Sequence, residues 1–254
     1  MKIAVITGAS SGMGREFVYA LDKQFKYDEI WVIARRKDRL EALQEGASAR
    51  IRAISLDLTE RASIDELSKM LKEEAPEIKT LVNASGFGRF EAFENVPLDD
   101  YYKMIDLNCS AYVGVTYACL PYLKSGSEIY QLDSLSSFQP VPYINVYGAT
   151  KAFVLSFSRA LNVELKKRGI KCMAVCPGWV KTEFFDHAVT DESVITYYNK
   201  IWTPEQVIAR ALKDMKRGRD VSVLGFSIRA QVLATKLLPH KLVMRIWCKQ
   251  QKKL

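Results

Sequence analysis

Lys2-Ile-Ala-Val-Ile-Thr-Gly8-Ala-Ser-Ser-Gly12-Met-Gly14 is the stretch whose reading decides the fold. Residues 2–7 form an apolar run rich in β-branched side chains, which favour extended backbone. A short run of this kind bounded by glycine reads as a buried strand, and the amphipathic pattern over residues 16–25 as the helix that follows it. Between the two, Gly8, Gly12 and Gly14 permit a tight turn. They also let the backbone approach a pyrophosphate, which then rests on the helix N-terminus. The spacing is G-x-x-x-G-x-G rather than G-x-G-x-x-G, so the position directly after the first strand carries the dinucleotide reading.

The alternation continues down the chain. Strand patterns fall at residues 29–34, 51–56, 80–83, 128–132, 170–176 and 220–224. Helix patterns fall at 38–44, 63–74, 101–123, 146–167 and 203–217. The last helix opens on Thr203-Pro-Glu-Gln206, a capping box with proline at the first helical position. Buried strands alternating with helices predict an α/β protein of Rossmann type. Its expected core is a doubly wound, parallel, seven-stranded sheet with helices on both faces and right-handed crossovers. The 254 residues suffice for one catalytic domain, expected over 1–225, followed by a tail over 226–254.

Composition sets outer bounds. Apolar residues make up 48% and charged residues 26%, the balance of a soluble globular protein. The five cysteines show no metal-ligand spacing and read as reduced thiols of a cytoplasmic protein. With only His187 and His240, a histidine metal site or triad is not expected, and no metal is predicted. No apolar run reaches the roughly 20 residues that span a bilayer. The net charge is +8, yet residues 226–254 hold seven basic residues and no acidic one, so the rest is close to neutral. A nucleic-acid-binding body is therefore not indicated.

The second strand runs into Ala34-Arg35-Arg36. An acidic residue there would suit a free ribose 2′-hydroxyl, whereas guanidinium groups bind a 2′-phosphate through charge-assisted hydrogen bonds. Arg35 and Arg36 thus favour NADP(H) over NAD(H). Further on, Tyr147 and Lys151 stand four residues apart, on one face of the helix predicted there. A cation beside a phenol lowers a pKa otherwise about 10, which would make Tyr147 a usable proton donor or acceptor.

With these motifs in this order, the chain resembles the short-chain dehydrogenase/reductase family over residues 1 to about 225. Thr7-Gly-Ala-Ser-Ser-Gly-Met-Gly14 is similar to the family's cofactor loop, which implies contacts from Gly8, Ser10, Ser11, Gly12, Met13 and Gly14. Asp57-Leu58-Thr59 matches the segment that meets the adenine. Asn83-Ala84-Ser85-Gly86 resembles the family's Asn-Asn-Ala-Gly, with a shifted pattern. Pro177-Gly178-Trp-Val180-Lys-Thr182 is similar to Pro-Gly-x-x-x-Thr, whose threonine meets the nicotinamide end. Asn108, Ser134, Tyr147 and Lys151 fall on the catalytic positions, the serine thirteen residues before the tyrosine. The resemblance implies Tyr147 as acid or base, with Lys151 lowering its pKa and holding the nicotinamide ribose. Ser134 would bind the substrate oxygen, and Asn108 would position a relay water. Ser136 and Ser137 read as hydroxyls serving turns. Asp133 departs from the family, which often has serine there. It either stands beside the site, disfavouring anionic substrates, or points to the other face of its strand.

In the family the segment after the sixth strand roofs the substrate. Here residues 183–202 carry Phe184, Phe185, Tyr197, Tyr198 and Trp202, and Phe87 and Phe90 follow the fourth strand. Phe87, Phe184, Phe185 and Tyr198 are the candidate substrate contacts, and such aromatic density suits an apolar or bulky carbonyl. The expected function is an NADP(H)-dependent oxidoreductase interconverting a carbonyl and an alcohol: a reductase of an apolar aldehyde, ketone or lipid-like oxo substrate. The other reading is a catalytically idle NADP(H)-binding sensor or scaffold at a membrane surface. Homodimers or homotetramers through the helices at 101–123 and 146–167 are implied by the resemblance. In the tail, Pro239 should separate two helical pieces. Leu242, Val243, Ile246 and Trp247 share one face of the second piece, with Lys241, Arg245 and Lys249 on another. That pattern allows a peripheral membrane anchor, or docking on the protein's own domain or a partner subunit.

Overall fold

A computed structural model describes residues 1–189 and 193–253. The chain runs β1 (Lys2–Thr7), α1 (Gly12–Gln24), β2 (Glu29–Ala34), α2 (Lys37–Glu41), β3 (Arg50–Ser55), α3 (Arg61–Glu74) and β4 (Glu77–Asn83). It continues through α4 (Leu98–Ile105), α5 (Ala111–Cys119), β5 (Leu123–Leu132), α6 (Asn145–Glu164), β6 (Lys171–Val175), β7 (Trp179–Val180) and α7 (Phe184–Ala188). The final elements are β8 (Ile201–Trp202), α8 (Pro204–Lys216), β9 (Val221–Ser222), α9 (Phe226–Leu237) and α10 (His240–Gln250).

Seven strands form one parallel sheet in the order β3-β2-β1-β4-β5-β6-β9, the predicted fold class. Successive side chains of each strand reach opposite faces. Ala4 and Ile6 of β1 meet Phe17, Val18 and Leu21 of α1 and the buried face of α8. Ile3 and Val5 meet Leu67 and Leu71 of α3, with α5 and the end of α6. Both faces of β1 are thus dry, which is why its sequence is continuously apolar. Each fully buried α1 side chain contributes about 1.5–3 kcal/mol of burial. The strand order reverses between β1 and β4, and a crevice opens there at the carboxyl ends of the strands.

Three elements differ from expectation. The helix predicted over 101–123 begins at Leu98 as α4 and continues without interruption as α5 through a π-type turn over Asp106–Ser110, and β5 begins at Leu123. The extra residue of the turn brings the fully buried Asn108 side chain into the interior. The roof segment carries the short helix α7 and a two-stranded parallel ladder, β7 with β8. Residues 190–192 of that segment, and Leu254 of the tail, lie outside the described residues. The capping box stands as predicted: Thr203 Oγ1 accepts from Gln206 N, and Gln206 Oε1 accepts from Thr203 N.

The tail folds back on its own domain. Val243 is buried, and Trp247 Nε1 donates to Pro142 O at 3.0 Å while its ring stacks on Trp179. Gln251 Oε1 accepts from Thr196 N and Tyr197 N at 2.8 and 3.0 Å. Leu242 and Ile246, expected on the same face, stay exposed. No helix among the described residues is long and apolar enough to cross a membrane.

Candidate active site

A single cavity of about 940 Å³ occupies the crevice at the β1–β4 reversal. Every residue predicted to bind cofactor or substrate, or to act in catalysis, lines it except Asn83, Asn108 and Tyr198. Its floor is the turn from β1 into α1. Gly8 has φ +66°, and a Cβ there would lie 2.6 Å from the Ala84 carbonyl. A Cβ on Gly14 would lie 2.2 Å from Gly8 O, so glycine is what lets α1 start hard against the strand. No side chain caps the start of α1, and its first turn has no acidic residue. Its first amides therefore keep their affinity for an anion. Thr7 Oγ1 accepts from Ala84 N and Ser85 N, which pins the next wall segment.

At the far corner, Arg36 Nη2 donates to Ser10 Oγ and Ser11 Oγ at 3.1 Å each, and Arg36 Nη1 reaches Glu183 at 3.3 Å. Arg35 lies 3.9 Å from Asp57, whose other oxygen accepts from Thr59. Leu58 is buried beside it. Across the mouth, Pro177, Gly178, Val180 and Thr182 come from the chain leaving β6. Thr182 Cγ2 would be 3.3 Å from a Cβ on Gly12.

Tyr147 and Lys151 project from one face of α6. Both are buried, with Lys151 Nζ 5.7 Å from the centre of the Tyr147 ring. Nζ donates to Leu132 O at 2.8 Å, which leaves two of its three donors for a ligand. Ser134 caps the turn that follows β5, its Oγ accepting from Ser136 N at 3.2 Å, and lines the same wall of the cavity as Tyr147. Burial raises the phenol above the usual tyrosine range, and the nearby Ser134 hydroxyl offsets this only partly. Desolvation, with Asp133 acting the same way, sets the direction of the shift in place of the depression expected from Lys151, and the phenol is held protonated. Burial also lowers the Lys151 ammonium to about 8, against the opposing pull of Asp133.

Asp133 resolves its two alternatives by pointing inward. It is buried under the site; Oδ2 accepts from Cys176 Sγ at 3.2 Å, and Oδ1 has no hydrogen-bond partner. Desolvation raises its carboxyl to about 7, with Lys151 acting the other way. Ser137 Oγ donates to Ser134 O, as a turn hydroxyl should, whereas Ser136 Oγ is buried without a partner.

Two predicted residues sit behind the wall. Asn83 Nδ2 donates to Thr116 Oγ1 and Gln131 Oε1 in a buried polar cluster that joins β4, α5 and β5. Asn108 Oδ1 accepts from Phe87 N, and its Nδ2 donates to Phe87 O and Thr150 Oγ1. It thereby pins the loop carrying Phe87 to the helix carrying Tyr147. Tyr198 also stands back, edge-on to Trp179 at 4.8 Å, while Tyr197 reaches the cavity.

The substrate end is aromatic. Phe184 lies 5.6 Å and Phe90 5.4 Å from the Tyr147 ring, with Phe87 and Phe185 alongside. Trp179, Phe138, Ile144 and Trp247 also line this end, although the sequence did not single them out as contacts. Trp247 could have been found only by knowing that the tail folds back. Among the described residues no group of three histidine, cysteine or acidic side chains could hold a metal.

Comparisons with known proteins agree with the fold. Residues 2–193 match the family described as short chain dehydrogenase. Sulfoacetaldehyde reductase 2 of Chromohalobacter salexigens is 37% identical over 191 residues, covering 72% of this chain and 74% of that protein. A short-chain dehydrogenase from Sphingobium yanoikuyae, solved in complex with NADPH, superposes with a TM-score of 0.80. It is 27% identical and covers 93% of this chain and 94% of that one. The bulky-bulky ketone specific alcohol dehydrogenase from Comamonas testosteroni gives a TM-score of 0.74 at 26% identity, covering 93% and 92%.

Proposed function

The chain belongs to the short-chain dehydrogenase family, and on that premise we propose that it is an NADP(H)-dependent reductase of an apolar aldehyde, ketone or lipid-like oxo substrate. The observation that carries this reading is the convergence of Ser134, Tyr147 and Lys151 on the cavity wall beside the glycine floor. The residues fit a nicotinamide dinucleotide. Gly8 and Gly14 leave a backbone cradle that a Cβ would fill, and α1 presents an uncapped start. Arg36 with Ser10 and Ser11 would take a 2′-phosphate, Asp57 and Leu58 the adenine side, and Thr182 the nicotinamide end. When bound, the nicotinamide supplies or accepts the hydride.

The side chains of this chain would do the rest. In reduction the protonated Tyr147 phenol gives its proton to the substrate oxygen, and in oxidation it takes one back. Ser134 holds the same oxygen and stabilises charge developing on it. Lys151, anchored by Leu132 O, offers its remaining donors to ribose hydroxyls and supplies positive charge beneath the phenol. The Asn108 side chain is already engaged, so its main chain would hold the relay water toward Lys151. Phe87, Phe90, Phe184 and Phe185 exclude water and favour an apolar substituent on the carbonyl. The idle sensor or scaffold is not favoured, because the acid–base set is complete.

We further take residues 1–225 as the catalytic unit and 226–254 as its basic amphipathic tail, in a cytoplasmic homodimer or homotetramer built through α4–α5 and α6. On α9, Phe226, Leu233 and Leu237 are exposed at i, i+7 and i+11, on one face. Together with the basic tail they support peripheral contact with an anionic membrane. The deciding experiment for the catalytic reading is an NADPH-consumption screen across aldehydes, ketosteroids, 3-oxoacyl thioesters and sugars, run with wild type and Tyr147→Phe. Turnover by wild type alone, with NADPH binding kept in the variant, is expected. Retention of near-wild-type rate by Tyr147→Phe would refute the assignment.

A further inference from the structure

Glu183 stands where the chain leaves the cofactor wall and enters the aromatic cover. It follows Thr182 directly and precedes Phe184 and Phe185 of α7. Its carboxylate turns away from the substrate end. Both oxygens accept from Arg39 Nη1, at 2.9 and 2.8 Å, and Oε2 also accepts from Arg36 Nη1 at 3.3 Å. The other terminal nitrogen of Arg36 holds the hydroxyls of Ser10 and Ser11. Arg36 and two hydroxyls meet at one corner of the cavity, with a second guanidinium, Arg39, joined to them through Glu183, and together they make the donor set of a phosphate subsite. A carboxylate from the substrate cover already sits on both arginines.

We propose that Glu183 is an internal competitor for the 2′-phosphate subsite of Arg36, Arg39, Ser10 and Ser11, and that only a 2′-phosphorylated cofactor displaces it. This rests on the NADP(H) reading above. A phosphate monoester brings between one and two negative charges and three acceptor oxygens, against one charge and two oxygens for the carboxylate. It therefore wins the arginines. A neutral 2′-hydroxyl cannot, so with NAD(H) bound the Glu183 pair stays closed. The side chains of Arg36, Arg39 and Glu183 are each about two-fifths exposed, so the pair is weak enough to exchange. Two consequences follow. Glu183 lowers the preference for NADP(H) below what the arginines alone would confer. Its displacement also frees the root of α7, whose Phe184 stands against Tyr147, so the cover would loosen only when the phosphorylated cofactor has arrived.

The test uses the full chain and isothermal titration with 2′,5′-ADP and 5′-ADP, on wild type, Glu183→Gln and Glu41→Gln. Glu41 pairs with Lys37 on the exposed face of α2 and serves as the control for loss of one nearby charge. Glu183→Gln should bind 2′,5′-ADP about three- to tenfold more tightly and 5′-ADP unchanged within about twofold, while Glu41→Gln leaves both as they were. Hydrogen–deuterium exchange over residues 183–189 should rise in wild type with 2′,5′-ADP but not with 5′-ADP, and should be high in Glu183→Gln from the start. Unchanged or weaker 2′,5′-ADP binding in Glu183→Gln overturns the competitor. Tighter binding without the exchange pattern overturns the release and confines Glu183 to cofactor choice. If wild type binds 5′-ADP as well as 2′,5′-ADP, the NADP(H) reading itself has failed, an outcome separate from both.

Discussion

Replacing Asp133 by asparagine should flatten the pH dependence of folding stability between about pH 4 and 7.5. The carboxyl is buried beneath the site, and desolvation raises it from its ordinary 3.8 to about 7. The sign follows from which state binds the proton more tightly. Unfolded chains lose this proton near pH 3.8, folded ones only near 7, so the wild-type contribution is full below the first value and is lost as pH rises through the second. A separation of about three units at 1.36 kcal/mol each makes the loss about 4 kcal/mol. Asparagine does not titrate. Its NH₂ would occupy the position of the partnerless Oδ1, a pH-independent cost of about 1–3 kcal/mol that displaces the curve without tilting it. The variant should therefore be the less stable protein at pH 4.5 and gain about 3 kcal/mol on wild type by pH 7.5, the remaining part of the change lying below pH 4.5. The assay is urea unfolding followed by tryptophan fluorescence at half-unit pH steps and fixed protein concentration, below the range where Lys151 titrates in the unfolded chain. Parallel curves, diverging by less than about 1 kcal/mol, would refute the claim that an ionised Asp133 is carried at the cost of stability.

Three other outcomes are expected. The Lys151 ammonium, lowered to about 8, keeps its charge below that pH, so kcat/KM for reduction should fall as pH rises through about 8; a profile flat to about pH 9.5 would remove Lys151 from the reaction. Gly14→Ala should destabilise the protein by about 3 kcal/mol, because its Cβ lands 2.2 Å from Gly8 O. Gly218→Ala, at φ +70° but in open space, should cost only about 1 kcal/mol, and equal thermal shifts in the two variants would contradict this reading of the turn. Flotation with anionic vesicles at low salt should be lost in Leu233→Glu/Leu237→Glu with circular dichroism unchanged; equal flotation of variant and wild type, or none by either, argues against membrane contact through α9.

Fold class was legible because the parallel sheet buries both faces of its strands, which leaves continuous apolar runs such as residues 2–7 and 29–34 in the sequence. The same locality made the glycine turn readable, and the i, i+4 spacing placed Tyr147 beside Lys151. The π-type turn within the helix over 101–123 was not legible. A π-type turn at Asn108 is stabilised by bonds to Phe87 and Thr150, which are distant in the chain, and it leaves no local pattern. The short helix α7 was hidden for a similar reason, since its aromatic residues gain by packing on Trp179 and Tyr147 rather than by helix propensity.

The sequence by itself determined the type and order of the main elements, the glycine turn between β1 and α1 and the residue types of the proposed acid–base set. These depend on short-range periodicity, steric freedom and chemistry carried by the residues themselves. Only the tertiary structure decided that Asp133 points inward, that the Tyr147 phenol is raised by burial despite its lysine neighbour, and that Glu183 occupies Arg36 and Arg39. It also turned Trp247 into the wall of the cavity while leaving Leu242 and Ile246 exposed. Charge and solvation at a site depend on which groups meet across long stretches of chain and on how much water they exclude, and neither quantity is written in local sequence.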